Sequence, residues 1–183
     1  NCPQSISITF ENAATAKSTG TTNGTKLTHP AFTYNGMELN GIWVGKFETT
    51  QGTLSNVGTT NPTIKPNITS WRSQDVSTEF NTSLLFSSNS AYGLSGESRM
   101  SKNSDWGAIV YLSHSIYGTN TEIRMNNQDG YRTGCGATSN SAGSSPTCEI
   151  VYGSNVASYP QSTTGNITGI FDMSGGAWEY VMG

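Results

Sequence analysis

Charge is the scarcest commodity in this chain. Of 183 residues only nine are Lys or Arg and twelve are Asp or Glu, which leaves a net charge of -3. With no basic run, nothing in the sequence offers the cationic surface that nucleic-acid binding demands. Long apolar runs are missing as well, and no stretch reaches the length of a membrane span. Two histidines and three cysteines supply few metal ligands and few general bases. There is no HExxH, no P-loop, no GxGxxG and no G-x-S-x-G elbow. The acidic residues are scattered singly, so paired-carboxylate chemistry finds no signal either.

Hydrophobic residues make up 33% of the chain, also a low share. Ser, Thr, Asn and Gly fill the difference. Low hydrophobicity suggests disorder only when it accompanies high net charge and few aromatics. Here aromatics reach 10%, and the expectation is one ordered, loop-rich domain with a polar arm. The first residue is Asn1 rather than Met, and no signal peptide is visible in the sequence; the chain reads as a mature or excised product. A Ser/Thr/Asn-rich, charge-poor surface suits a secreted or surface-displayed protein.

Cys135 and Cys148 flank the loop GATSNSAGSSPT, which lacks any CxxC or nearby His. A disulfide stapling this loop is the expected reading. Cys2 is left as a free thiol or paired with something outside this sequence.

Ser5 to Phe10 alternates polar and apolar residues like a half-buried strand. Residues 11–26 form a polar connector. The strand could pack on its own domain or pair with the exposed edge of a neighbour. His29, before Pro30, reads as a structural or surface residue, and Asn35-Gly36 as a turn. Leu39 to Thr50 is the clearest strand pattern, with Trp43, Gly45 and Phe47 on one face. Residues 51–70 read as loop. A first helix is expected over Thr78–Phe86, capped by Asp75 or Ser77, with Phe80 and Leu84 as its apolar stripe. A second is expected behind Ser101 or Asn103, with Asp105 in its first turn. Trp106, Val110, Ser113 and Tyr117 line one face, Ile109, Leu112 and Ile116 the next, and Gly118 closes it. His114 is expected to face solvent. Thr121–Met125 and Glu149–Tyr152 are further candidate strands. Sequons stand at Asn23, Asn67, Asn81 and Asn166, and O-linked sugar is open to the Ser/Thr tracts.

The last twenty residues, TGNITGIFDMSGGAWEYVMG, alternate turns with apolar runs. On composition alone they read as a core hairpin with Trp178 and Tyr180 on one face. Their order says more. GIFDMSGGAWEYV resembles the G-x-x-D-M-x-G-N-x-W-E-W signature of the formylglycine-generating enzyme, or sulfatase-modifying factor, family. Ile42-Trp43-Val44-Gly45-Lys46-Phe47-Glu48-Thr49-Thr50 is similar to that family's F-W-I-G-K-Y-E-V-T strand. Residues 98–108, SRMSKNSDWGA, are similar to its R-L-P-T-E-A-E-W-E-Y-A helix start. The pattern, with HPAF ahead of it, is also similar to bacterial surface proteins, some of which carry prepilin-type leaders.

The resemblance implies an α+β, C-type-lectin-like domain over residues 40–183, with two helices on irregular antiparallel strands and long loops. Residues 1–39 form an N-terminal strand and connector outside the match. Family oxidases use a copper-binding cysteine pair downstream of the W-E-W motif. Cys135 and Cys148 lie before it, so catalysis is not carried over. In the family further strands complete the core, which leaves this domain truncated or completed by another chain. Family members also bind calcium at the turn before the last strand, and Gly175, Ala177 and Glu179 match those positions. The implied function is a non-catalytic extracellular protein of a bacterial surface: a pilus-like or filament subunit, or an adhesin. Its partners would be copies of itself, other surface subunits, or a host or glycan ligand. The alternative is a fragment of a copper-dependent oxidase.

Overall fold

The computed structural model describes residues 10–11, 26–50, 63–88, 93–138, 145–153 and 156–183. The N-terminal strand expected over Ser5–Phe10 and the first twelve residues of the loop expected over 51–70 therefore lie largely outside the described residues. The chain is α+β and divides into two compact units, Asn1–Trp43 and Val44–Gly183. Among the described residues no helix is long and apolar enough to cross a membrane.

In the first unit, strand β1 (Phe10–Glu11) pairs antiparallel with β2 (Lys26–Leu27). A short 3-10 turn at Pro30–Phe32 follows, and His29 has a structural task there: its Nδ1 accepts from the Ala31 N–H at 3.2 Å. Strands β3 (Thr33–Tyr34) and β4 (Met37–Glu38) then form a hairpin. Asn35 and Gly36 both take positive φ, at 49° and 77°, which gives a two-residue turn whose twist matches the strands.

The second unit holds both helices. Helix α1 spans Val76–Ser88. Asp75 begins it as expected: its Oδ1 accepts from the Thr78 N–H at 2.8 Å. Its buried residue, however, is Thr82, while Phe80 and Leu84 are exposed. The expected apolar stripe thus faces outward. Helix α2 spans Asn103–His114. Its N-cap is Lys102 rather than Ser101 or Asn103. The Lys102 N–H donates to Asp105 Oδ2 at 2.8 Å, and Arg99 pairs with the same carboxylate. Ile109 and Ser113 turn inward, while Trp106, Ile116 and Tyr117 are exposed. The helix stops at His114, four residues before Gly118. Gly118 still has a steric duty, because a Cβ there would overlap the Leu112 carbonyl.

Among the described residues of this unit regular sheet is almost absent. Strand β5 (Cys135–Gly136) pairs with β6 (Ile150–Val151), and elsewhere single bridges join extended segments. The Cys135–Cys148 disulfide forms as expected, with Cα atoms 5.3 Å apart. Two expected strands are corrected here. Neither Leu39–Thr50 nor Thr121–Met125 forms a strand, and the first is bent at Asn40 and at Lys46–Phe47. Within the first, Thr50 bridges both Thr63 and Ser70, and the Lys46 and Thr49 carbonyls accept from the Phe171 and Trp71 N–H groups, each at 2.9 Å. Trp43 and Phe47 do not share an environment: Trp43 is fully exposed and Phe47 buried.

The core is small and mixed. Phe47, Tyr152 and Phe171 form an aromatic trio with centroids 4.9–5.2 Å apart. The Lys46 ammonium lies 4.9 Å from the Tyr152 ring centroid and also bonds its hydroxyl at 3.0 Å. Around them the interior is threonine, serine and carboxylate. A chain short of large aliphatics must bury polar groups, and burial is tolerable only when they are bonded. Thr133 shows the solution: its hydroxyl donates to the Lys65 and Ile68 carbonyls at 2.6 and 3.0 Å.

Candidate functional site

Two of the segments singled out above, around Glu48 and around Asp172 to Glu179, meet at a buried cluster of acids. Asp172 sits just after Phe171, in the left-handed region at φ 59°, a conformation Asp tolerates better than most residues. Both its carboxylate oxygens accept from the Gly134 N–H, at 2.9 and 2.8 Å, and Oδ1 also accepts from Asn126 Nδ2 at 3.0 Å. Asn126 in turn holds the following turn. Its N–H donates to the Ser174 carbonyl and its carbonyl accepts from the Gly176 N–H, both at 2.7 Å. Gly175 and Gly176 take φ 76° and 72°. At Gly176 the missing side chain matters, since a Cβ would overlap Glu48 Oε1.

Glu48 is buried. Ser70 Oγ donates to its Oε2, and the Ala177 N–H approaches the same atom at 3.5 Å. Its other oxygen, Oε1, is buried with no hydrogen-bond partner. Burial pushes the Glu48 carboxyl up to about 8, against the pull of the Ser70 hydroxyl and with added repulsion from Asp172 and Glu179. Asp172 is pushed up to about 6, again first by burial, despite its bonds from Gly134 and Asn126. Glu179 belongs to an exposed residue, yet its carboxyl also rises, through desolvation and then through the Asp172 charge.

Three acids scattered along the sequence are therefore neighbours in space. The scatter of single acids along the chain, which gave no paired-carboxylate signal, hides this grouping. The sequence signal was present, since all three lie in the quoted segments, but no spacing rule connects residue 48 to residues 172 and 179. Asn126, which ties the cluster to its turn, lies outside every quoted segment.

Of the expected calcium residues, Gly175 and Ala177 are in the turn and Glu179 follows it beside the other two acids. Oxygen donors of this kind suit a hard cation. Among the described residues no three His, Cys, Asp or Glu side chains are arranged to hold a metal ion, so the carboxylate geometry does not by itself form a cage. Cys135 and Cys148 are bonded to each other. His114 is half exposed, with Nε2 3.7 Å from Glu122 Oε2.

Trp178 is not the buried hub that the lectin-like scaffold reading expects. It is 97% exposed, and Tyr180 is 52% exposed. Phe171, with 1% exposure, occupies the central position instead. No protein-family model, curated protein or solved structure matches this chain.

Proposed function

We propose that this is a non-catalytic extracellular protein of a bacterial surface, a pilus-like or filament subunit or an adhesin, on a C-type-lectin-like scaffold of the sulfatase-modifying-factor kind. The observation that supports it best is the distribution of apolar side chains. Trp178, Tyr180, Tyr111 and Ile116 lie at the surface, while Thr50, Thr133, Thr163 and Ser113 are fully buried. Large apolar groups left in solvent at this density suit a surface that meets other chains or a ligand such as a host glycan. Low charge and polar loops fit display outside the cell. Immunogold labelling of intact source cells, followed by negative-stain microscopy of the native material, tests the reading. Label on surface fibres or on the envelope supports it; label confined to the cell interior refutes it.

Calcium at the Gly175–Glu179 turn belongs to the same proposal. It is supported by the hard-oxygen character of the turn and by the neighbouring acids, whose mutual repulsion a divalent cation would relieve. The backbone carbonyls of Gly175 and Ala177 and the carboxylate of Glu179 would hold it. Thermal unfolding at pH 7.5 should rise by several degrees in millimolar calcium relative to EDTA, and Glu179→Gln should abolish the rise. An unchanged midpoint in the native protein removes calcium from the proposal.

A further inference from the structure

Of the four Asn-x-Ser/Thr sequons in the chain, that at Asn23 lies outside the described residues, and the fold treats the other three differently. We propose that Asn166 is a glycosylation site, whose side-chain nitrogen takes a sugar from a donor activated as a diphosphate ester. Asn166, Ile167 and Thr168 are all exposed and belong to no helix or strand. They stand in a short loop whose base is fixed. The Thr163 N–H donates to the Ile170 carbonyl at 2.9 Å, and the Ile170 N–H donates to Thr163 Oγ1 at 3.1 Å. Ser162, Thr163 and Gly169 are buried there, and Lys46 Nζ donates to the Ile167 carbonyl. A transferase can take hold of the exposed triplet and leave the packing beneath it undisturbed. The other two sequons lack this access. Asn81 lies inside α1, where Thr82 is 3% exposed and the Ser83 hydroxyl donates to the Phe80 carbonyl at 2.6 Å. Presenting that triplet means unwinding the helix. At Asn67 the side chain is tied inward: Nδ2 donates to the Tyr152 carbonyl at 3.1 Å, and Oδ1 is buried.

The local bonding suits the chemistry as well as the access. An amide nitrogen is a poor nucleophile because its lone pair is shared with the carbonyl, and it reacts once a proton is withdrawn. Asn166 Oδ1 accepts from the Thr168 N–H at 2.9 Å, from the Thr168 hydroxyl at 2.6 Å and from the Thr164 hydroxyl at 3.0 Å. Three donors on one oxygen stabilise the negative charge that builds there as an Nδ2 proton leaves. Nδ2 itself makes a long bond, 3.4 Å, to the Thr164 carbonyl, which an incoming sugar can displace. In the transfer a base of the enzyme removes one Nδ2 proton, and Nδ2 bonds to the anomeric carbon. The anomeric C–O bond breaks, and its electron pair leaves with the diphosphate. Thr168 is a positioning residue in this scheme. Its hydroxyl reaches the amide because the chain turns between the two, as the Gly169 N–H donating to the Asn166 carbonyl at 3.2 Å shows. In α1 the equivalent hydroxyl, on Ser83, is directed to a backbone carbonyl instead. The glycan goes beyond the surface role proposed above and does not depend on it.

Peptide mapping with electron-transfer fragmentation, on protein purified from its source cells, tests this. The expected result is sugar on Asn166, with Asn67 and Asn81 bare. A single hexose identifies a nucleotide-activated donor, and an oligosaccharide added whole identifies a polyprenyl-linked one; either supports the inference. Expressed in the same cells, Asn166→Gln and Thr168→Val should both lose the sugar. Thr168→Ser keeps the hydroxyl and should retain it. Should a variant fail to fold, the map of the parent protein still decides. A bare Asn166 in the parent overturns the inference. So does equal occupancy of Asn67, Asn81 and Asn166, which is what transfer to an unfolded chain would give. Sugar that persists on Asn166 in a folded Thr168→Val variant overturns it as well. The map reads one residue and surface labelling of cells reads location, so loss of the glycan and loss of the surface role are told apart.

Discussion

Glu48 gives the sharpest test of the buried acid cluster. Its carboxyl is ordinary in the unfolded chain, near 4.5, and pushed up to about 8 in the fold. A raised acid stabilises the native state fully below its unfolded value and loses that contribution as pH rises toward the folded one. Between pH 4.5 and pH 8 the unfolded chain has released this proton while the native chain still holds it, so stability must fall. For Glu48 alone the fall is on the order of 4–5 kcal/mol at pH 8. Asp172 adds a loss of the same sign between 3.8 and about 6. Asp75 and Glu149 are lowered by bonds from Thr78 and Thr138 and act in the opposite sense below their ordinary values, but both are solvent-screened.

Glu48→Gln separates this effect from simple packing. The amide oxygen can still accept from Ser70, but the NH2 group inherits the place of Oε1, which has no partner. That orphan donor costs roughly 1–3 kcal/mol at any pH. The variant should therefore be less stable than the parent at pH 5 and equal or more stable at pH 8. Urea unfolding followed by tryptophan fluorescence from pH 4.5 to 8.5, without divalent cations, measures both curves. A parent whose stability is flat or rising across this window, or two curves that run parallel, would refute the reasoning.

Three further outcomes follow from the packing. Phe171→Ala empties the centre of the aromatic trio and should cost about 3–5 kcal/mol in urea unfolding, which also cools Lys46's hold on Tyr152. Replacing Cys135 and Cys148 together by Ala should cost about 3 kcal/mol by the same assay, since the bridge closes a short loop across a sequence separation of 13. Trp178→Ser should leave stability within about 0.5 kcal/mol, because the indole is in solvent, while weakening any self-association measured by sedimentation. A loss of several kcal/mol there would restore Trp178 to the core.

Local signals were legible wherever a few adjacent residues suffice. Asp75 caps α1, Asp105 organises the start of α2, Asn35-Gly36 turns a hairpin, and Cys135 finds Cys148 across a short loop. Each depends on chemistry within about a dozen residues, and composition alone implied an ordered, loop-rich, β-leaning chain. Burial was another matter. Phe80, Leu84 and Trp178 have the character of core residues, yet Thr82 and Phe171 hold the inward positions. Which apolar group is enclosed depends on what the rest of the chain brings to it, and periodicity records only that a face exists. The same holds for the acids. Glu48 lies more than 120 positions from Asp172, and only tertiary folding removes both from water and lets their charges oppose. Desolvation and repulsion are properties of a place in space, and the order of residues along a chain does not contain them.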